Sequence, residues 1–141
     1  MKNNKKKLND IYCNLEKHFG DLGWWPAENN FEVIVGAILV QNASWDNVTK
    51  VIAKLKKQGV LTPSKIMGMK HSSLAKIIKP VGFFKIKSER LKNTIKFFYE
   101  ENSIQDLAKF DFEKLRKKIL MVKGIGPETA DSILVYVMKK P

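Results

Sequence analysis

The segment between residues 120 and 131 combines residue types that suit phosphate binding. Gly124 and Gly126 stand two apart, and glycine reaches positive φ and lets another backbone approach closely. Pro127 follows them and predicts the first turn of a helix, where its missing N–H costs nothing. A helix that begins here points unpaired N–H groups outward, and such groups bind phosphate. The segment therefore predicts a helix-hairpin-helix that holds a nucleic-acid backbone without reading its bases.

Apolar residues flank this hairpin at helical spacing, as two packed helices require. They are Phe112, Leu115, Ile119 and Leu120 before the hairpin, and Ala130, Ile133, Leu134 and Val137 after it. A plain connection between two helices is the alternative interpretation of the same segment.

Tryptophans near the two ends of an apolar stretch form a second candidate site. Trp24, Trp25 and Pro26 precede that stretch and Trp45 follows it. Stacking of a nucleobase on an aromatic face contributes about 1–3 kcal/mol, and a positively charged base gains cation–π attraction as well. These four residues predict a base pocket. The alternative is that Trp25 and Trp45 are core residues that bracket the central helix.

The charge balance favours a polyanionic partner. Among 141 residues, 26 are lysine or arginine and 14 are aspartate or glutamate, which gives a net charge of +12. Arg90 and Arg116 are the only arginines. Because lysine acts as a point charge and lacks the fork that reads guanine, we expect contacts to the backbone and not to bases. A solvated lysine-rich surface accounts for part of this charge.

Cysteine usage and hydropathy limit the cofactors and the location. Cys13 is the single cysteine, so we expect neither a disulfide framework nor an iron–sulfur cluster within this chain. The first residues are basic without an apolar run behind them, and nothing approaches the length of a membrane span. We expect a cytoplasmic, nucleoid-associated protein without a membrane partner.

The periodicity predicts an all-α protein. A central helix runs from Phe31 to Val40, is apolar on nearly every side, and begins after Asn29 or Asn30 as the N-cap. Thr62-Pro63 predicts the start of a short helix, and Ser72 or Ser73 predicts the cap of the next one. Further amphipathic helices are predicted at about 8–19, 45–57, 84–98 and 104–109.

Three blocks together resemble the helix-hairpin-helix DNA glycosylases of the endonuclease III superfamily. The hairpin resembles their L-P-G-[IV]-G-x-x-T-A element, and the segment from Ile78 to Ser88 resembles a second signature. Ile38 to Asn42 forms the third block. The blocks occur in the family's order between about Phe31 and Val137, and the chain is most similar to the 3-methyladenine type.

The resemblance implies a fold and its division into domains. It implies an endonuclease III-like six-helix barrel over residues 24–141, with the helix-hairpin-helix at about 112–138. Residues 1–23 would be the N-terminal helix of a second domain whose remainder follows Pro141 in the family. The second domain is therefore expected to be incomplete, and the apolar stripe of the first helix to favour self-association, the oligomeric state being open.

The resemblance also implies roles for individual residues in DNA binding. The residue matching Gln41 plugs the gap left by a flipped base, and the residue matching Phe83 wedges beside the orphaned partner. The alternatives are that Gln41 satisfies a helix carbonyl and that Phe83 packs in the core. Residues expected to contact the DNA backbone are Lys123, Gly124, Ile125, Gly126, Thr129, Lys85 and Lys87. The carbonyls of Leu120, Val122 and Ile125 would hold a monovalent cation, and no other cofactor is required.

Two departures from the family bear on the chemistry. Bifunctional relatives carry a lysine immediately before Thr-Ala, where this chain has Glu128, so strand cleavage through a Schiff base is not expected. The family's catalytic aspartate follows the hairpin helix and is expected beyond Pro141. No catalytic residue is therefore assigned within the chain, and residues 1–141 are expected to show little or no activity.

The resulting hypothesis is a monofunctional N-glycosylase of base excision repair. Its substrate would be double-stranded DNA carrying alkylated purines such as 3-methyladenine. A non-catalytic helix-hairpin-helix module that binds the DNA backbone is the main alternative, and a protein–protein helical domain is a third. The tryptophans, Gln41 and Phe83 distinguish the first two, since a backbone clamp needs neither a pocket nor a plug.

Overall fold

The computed structural model describes residues 2–20 and 24–140, and every regular element in these ranges is helical, which confirms the all-α prediction. The helices are α1 (Lys2–Phe19), α2 (Asn30–Leu39), α3 (Trp45–Lys57), α4 (Pro63–Gly68), α5 (His71–Ile77), α6 (Phe84–Ile95), α7 (Ile104–Leu107), α8 (Phe112–Leu120) and α9 (Pro127–Tyr136). A 3-10 turn spans Lys79–Val81, and a π-helical segment, Lys96–Glu101, continues α6.

Helix α2 lies at the centre of the domain, as its uniformly apolar sequence predicts. Residues 31–39 are all buried, and α2 packs against α3, α6 and α9. Asn29 is the N-cap, and its Oδ1 accepts a hydrogen bond from the Glu32 N–H at 3.0 Å. The buried carboxylate of Glu32 pairs with Lys56 of α3 at 2.9 Å, so the charge on this helix is compensated.

The helix caps agree with the sequence at one predicted start and differ at another. Thr62 caps α4, and Pro63 occupies its first turn, as predicted. The predicted caps Ser72 and Ser73 are wrong, because the N-cap of α5 is Lys70 and the helix begins at His71. The carbonyl of Lys70 already accepts N–H groups from within the first turn, which places both serines inside the helix.

Helix α1 presents its apolar stripe to solvent. It begins at Lys2, earlier than the periodicity indicates, and every described side chain from Asn4 to Phe19 is exposed. The stripe consists of Leu8, Ile11, Tyr12, Leu15 and Phe19, each at least 52% exposed. Its assignment to a second domain and its self-association stay predictions, and the predicted boundary at residue 23 lies outside the described residues. Within the described ranges, no helix is long and apolar enough to cross a membrane.

Helices α8 and α9 form the predicted helix-hairpin-helix. The guanidinium of Arg116 on α8 binds the carboxylate of Asp131 on α9 through two hydrogen bonds, of 2.6 and 3.1 Å. Leu115 and Ile119 of α8 are fully buried in the same core as Ile133 of α9. The two helices are therefore held at a fixed angle, with residues 121–126 forming the turn between them.

Candidate nucleic-acid interface

The hairpin turn exposes backbone donors at the start of α9. Gly124 adopts φ +103°, and Gly126 occupies the N-cap position with an extended backbone, φ −95° and ψ 177°. Among the described residues, no side chain caps this helix end. Pro127 lacks an N–H, so Glu128 and Thr129 carry the first-turn N–H groups that have no partner within the helix. This arrangement suits an anion.

Two residues predicted to contact the DNA backbone use their polar groups within the protein. Ile125 is buried, and its N–H donates to the carbonyl of Val122 at 3.0 Å. Thr129 is also buried, and its hydroxyl accepts a hydrogen bond from the Gln41 amide at 3.0 Å. The side chain of Thr129 is therefore already engaged, and a phosphate contact at this position would fall to its backbone N–H.

The prediction that Lys87 contacts DNA is wrong. Lys87 is 1% exposed, and its Nζ donates to the carbonyls of Leu39 at 2.8 Å and Val81 at 2.7 Å. Burial lowers the pKa of Lys87, and the neighbouring charge of Arg90 lowers it further. The ammonium satisfies carbonyls at the ends of α2 and of the 3-10 turn, so its role is to hold these two ends together.

The other two predicted lysines remain on the surface. Lys85 is exposed in the first turn of α6. Lys123 is exposed in the hairpin, where its Nζ pairs with Glu89 at 2.9 Å. Because both partners of that pair are at least half exposed, the interaction is weak and its ammonium can exchange Glu89 for a phosphate.

Gln41 joins the end of α2 to the hairpin. Its Nε2 donates to the carbonyl of Gly124 at 3.1 Å as well as to Thr129, and its Oε1 accepts a hydrogen bond from Arg90 Nη1 at 2.7 Å. The carbonyl that Gln41 satisfies belongs to the hairpin, 83 residues away, and not to the end of its own helix. Its role as a DNA plug stays a prediction.

Phe83 stands on a strained turn and faces solvent. It is 69% exposed, which contradicts the alternative that it packs in the core. Its backbone is left-handed, with φ 43° and ψ 30°, and directly follows Gly82 at φ +68°. Such a conformation costs a non-glycine residue about 1–2 kcal/mol. Exposed strain of this kind is a feature of functional sites, and the role of Phe83 as a wedge stays a prediction.

The tryptophans divide between the surface and the core. Trp24 is 74% exposed. The half-buried ring of Trp25 lies against Trp45, with ring centroids 5.5 Å apart, and against Tyr136 at 5.2 Å. A β-carbon on Gly36 would lie 3.3 Å from the Trp25 ring, so the absence of a side chain there lets the ring settle on α2. Trp45 thus packs edge-on against the Trp25 ring and holds it in place.

A single cleft of about 780 Å³ brings the Trp24-Trp25 loop, the end of α2 and the hairpin together. Its lining consists of Trp24, Trp25, Ala37, Val40, Gln41, Asn42, Arg90, Gly124, Ile125, Gly126, Pro127, Glu128, Thr129, Ser132 and Tyr136. Of the four predicted pocket residues, Trp24 and Trp25 line the cleft, whereas Pro26 and Trp45 are not among its described lining residues. The size is within the range of ligand sites, about 300–1,000 Å³.

Sequence reasoning missed several residues of this cleft, among them the polar side chains of Arg90, Ser132 and Tyr136. Ser132 and Tyr136 are four residues apart on α9 and continue the face of Thr129, so the helical period could have identified them once Thr129 was assigned to the site. Arg90 could have been noticed as one of two arginines in a lysine-rich chain.

The acidic residues near the hairpin differ in their surroundings. Glu128 is exposed and lines the cleft. The hydrogen bonds from Arg116 hold the pKa of Asp131 below its usual value, and that pairing commits the carboxylate to the hairpin helices. Asp46 lies in the first turn of α3.

The predicted cation site is built from backbone carbonyls of the hairpin. The carbonyl of Val122 accepts the Ile125 N–H and retains a second lone pair, so the turn is compatible with such a ligand. Among the described histidine, cysteine, aspartate and glutamate residues, no group of three is placed to hold a metal ion. The monovalent cation at Leu120, Val122 and Ile125 stays a prediction.

Comparison with known sequences places the central part of the chain in a family. Residues 35–102 match the profile of the HhH-GPD superfamily base excision DNA repair proteins. A DNA repair glycosylase homologue of Methanocaldococcus jannaschii is 42% identical over 144 aligned positions, covering 99% of this chain and 66% of that protein. Endonuclease III of Sulfolobus acidocaldarius is 28% identical over 108 positions, covering 76% of this chain and 47% of that enzyme.

Comparison with solved structures agrees. The crystal structure of the Helicobacter pylori 3-methyladenine DNA glycosylase MagIII bound to 1,N6-ethenoadenine superposes with a TM-score of 0.73 at 29% identity. The match covers 96% of this chain and 63% of that chain. The chain thus spans just under two thirds of the length of the M. jannaschii and H. pylori relatives. Its fold is that of the endonuclease III-like glycosylases.

Proposed function

Since the chain carries an HhH-GPD domain and is a homologue of DNA repair glycosylases, we propose that it serves base excision repair as a monofunctional N-glycosylase. Its substrate would be double-stranded DNA in which a purine is alkylated, as in 3-methyladenine. The observation that carries this proposal is the cleft that joins Trp24 and Trp25, Gln41 and the hairpin. A module that clamps the DNA backbone has no use for an aromatic recess beside the clamp.

The aromatic loop is the proposed site for the flipped base. Trp24 offers an exposed ring, and Trp25 is held firmly by Trp45 and Tyr136. An N3-alkylated adenine carries a positive charge, which strengthens its attraction to these rings over that of an ordinary base. The adenine adduct bound by the H. pylori relative supports this substrate class.

The hairpin is the proposed clamp on the strand that carries the lesion. The unpaired N–H groups of Glu128 and Thr129 directly follow Gly126, where no neighbouring atom obstructs a phosphate, and the exposed Lys123 lies in the same hairpin turn. Gln41 then fills the space that the flipped base leaves in the duplex, and Phe83 wedges beside the orphaned partner base. The contacts of the hairpin with phosphate are independent of base identity. This agrees with the lysine-rich composition, since lysine binds phosphate as a point charge.

The proposed chemistry is hydrolysis without strand cleavage. Water attacks the anomeric carbon, and an aspartate stabilises the positive charge that develops on the sugar. By the family pattern that aspartate follows the hairpin helix in sequence. Glu128 occupies the position of the lyase lysine, so no amine is present there to form a Schiff base.

An excision assay tests this proposal. A duplex with one alkylated purine is incubated with residues 1–141 and, in parallel, with a form extended through the following segment. We expect the extended form to leave an alkali-labile abasic site, the 141-residue chain to leave little or none, and borohydride to trap no protein–DNA adduct with either. Strand nicking with a trapped adduct would overturn the monofunctional assignment, and full activity of the short chain would place the catalytic carboxylate among Asp46, Glu128 and Asp131.

A further inference from the structure

Arg90 occupies a junction that the proposed function does not explain. It lies in α6, the helix whose N-cap is Phe83, and its guanidinium reaches Gln41 at the end of α2. Gln41 in turn binds the hairpin at Gly124 and Thr129. The elements that carry the proposed wedge, plug and clamp therefore meet through this one side chain.

The chemistry of the partners fixes the orientation of the Gln41 amide. A guanidinium is a donor only, so the oxygen of the amide must face Arg90. A backbone carbonyl is an acceptor only, so the nitrogen of the amide must face Gly124. The 2.7 and 3.1 Å distances satisfy both conditions at once. Without Arg90, the oxygen of the amide would lose its donor in this network, and only the hydrogen bonds of the nitrogen would hold the amide in place.

The aliphatic stem of Arg90 makes a second, steric contact with the hairpin. A β-carbon built on Gly124 would lie 2.2 Å from Arg90 Cγ and 2.8 Å from its Cβ. The stem therefore lies directly on the α-carbon of Gly124. Arg90 thus contacts the hairpin through its methylene groups and Gln41 through its guanidinium.

We infer that Arg90 is a positioning residue that holds the amide of Gln41 against the hairpin at the mouth of the cleft. This inference rests on the proposed function and deepens it. Glutamine has three rotatable side-chain bonds, and the entropy of ordering them is lost during folding instead of during DNA binding. The plug and the clamp then meet the duplex as one preorganised unit. Arg90 acts through Gln41 and contributes no phosphate contact of its own.

The matched variants distinguish this positioning role from a direct phosphate contact and from a purely structural role. Arg90→Met keeps most of the stem over Gly124 and removes the donors, whereas Arg90→Lys keeps a positively charged donor group. Lys85→Met removes an exposed charge from the same helix and is the control for a phosphate contact. The measurements are the thermal midpoint, duplex affinity as a function of salt, the side-chain amide NMR signals of Gln41, and the fluorescence of a 2-aminopurine placed in the duplex as the flipping base.

For Arg90→Met we expect the Gln41 amide protons to shift to the values of a solvent-exposed glutamine. The flipping signal at saturating protein should fall by about tenfold, as for the loss of one charge-assisted hydrogen bond, and Arg90→Lys should restore part of it. The slope of log affinity against log salt should match that of the parent. Lys85→Met should make that negative slope shallower by about 0.9 and leave the Gln41 signals in place.

Each other outcome overturns the inference. If Arg90→Met made the negative slope of log affinity against log salt shallower by about 0.9 and left the Gln41 signals unchanged, Arg90 would be a phosphate contact. Equal flipping by the variant and the parent, or a fall in thermal midpoint that Arg90→Lys does not reverse, would make it a structural residue. If the parent itself flips no base, the proposed function fails, and the NMR signals of Gln41 still decide whether Arg90 positions it.

Discussion

The stem of Arg90 lies so close to Gly124 that a β-carbon on Gly124 would come within 2.2 Å of Arg90 Cγ. Gly124 also adopts φ +103°, a conformation that side-chain-bearing residues rarely take. Two independent requirements therefore favour glycine at this position. Gly126 differs, because its φ is −95° and none of the described atoms lies within 4 Å of a β-carbon built there.

We predict that Gly124→Ala destabilises the protein by about 1–3 kcal/mol through strain in the hairpin and weakens binding to every duplex alike. Gly126→Ala should leave stability unchanged, whereas Gly126→Val should weaken duplex binding by placing a branched side chain where the phosphate approaches. Chemical unfolding and binding isotherms on undamaged duplex measure both effects. A Gly124→Ala protein as stable as the parent would contradict the packing of Arg90 on the hairpin.

We predict opposite phenotypes for two lysines that lie two residues apart in α6. Lys87→Met should lower the free energy of unfolding by about 1–3 kcal/mol, because it leaves buried carbonyls without a donor, and should not change the salt dependence of DNA binding. Lys85→Met should leave stability unchanged and reduce the salt slope by about 0.9. Thermal unfolding and salt titrations distinguish the pair, and a reduced slope in Lys87→Met would contradict the buried position of its ammonium.

The contrast between Lys85 and Lys87 illustrates what the sequence could and could not predict. Hydrophobic periodicity and N-cap residues are local features, each contained within a few residues of sequence. They are enough to predict the helices, the central position of α2 and the hairpin. The sequence favours a DNA contact for Lys87, because the residue is basic and lies in a segment that resembles the family's second signature. The burial of Lys87 depends on the carbonyls of Leu39 and Val81, which accept its hydrogen bonds. These two carbonyls are distant in the sequence, and only the folded structure brings both to one ammonium group.

The same reasoning explains why the cleft was predicted in part. Trp24, Trp25 and Gln41 were identified from residue type and resemblance, which are local properties. The support of Trp25 by Tyr136 depends on how α9 packs across α2, and its contact with Trp45 depends on how α3 packs against α2. The network of Gln41 with Arg90 and the hairpin joins three distant segments, and no spacing within one segment indicates it.

We predict that Phe83→Gly leaves stability unchanged or raises it by up to about 1 kcal/mol. Glycine relieves the left-handed strain, which costs about 1–2 kcal/mol, and its greater freedom in the unfolded chain offsets part of that gain. Since Phe83 is 69% exposed, little burial is lost. Base flipping should nevertheless fall, as reported by 2-aminopurine fluorescence. A marked loss of stability would instead indicate that this ring supports the fold.

We predict a small, acid-sensitive contribution to stability from the pair of Asp131 and Arg116. The pKa of Asp131 is lower in the folded protein than in the unfolded chain, chiefly through its hydrogen bonds to Arg116. The stabilisation is therefore present above the unfolded value of about 3.9 and is lost as the pH falls through the lowered folded value. Because the pair is partly exposed, solvent screening keeps its contribution to stability small.

Unfolding of the parent and Asp131→Asn over a range of acidic pH measures this difference. The two proteins should converge in stability as Asp131 becomes protonated. A difference that stays constant through that range would mean that the variant acts through packing and not through the charge. The parent and Asp131→Asn should show the same dependence of DNA affinity on salt concentration.

Binding of the chain to a duplex that contains a single 1,N6-ethenoadenine tests the central claim most directly, with a matched duplex that contains adenine as the reference. The adduct is fluorescent, so affinity and stacking are read in one titration, and no catalytic aspartate is required. We predict tighter binding to the damaged duplex by about tenfold, since stacking contributes about 1–3 kcal/mol per base, together with a change in adduct fluorescence. Trp24→Ala should abolish both and leave affinity for the undamaged duplex unchanged. Equal affinity for the two duplexes, with unchanged fluorescence, would contradict the base pocket and leave a helix-hairpin-helix module that binds only the DNA backbone.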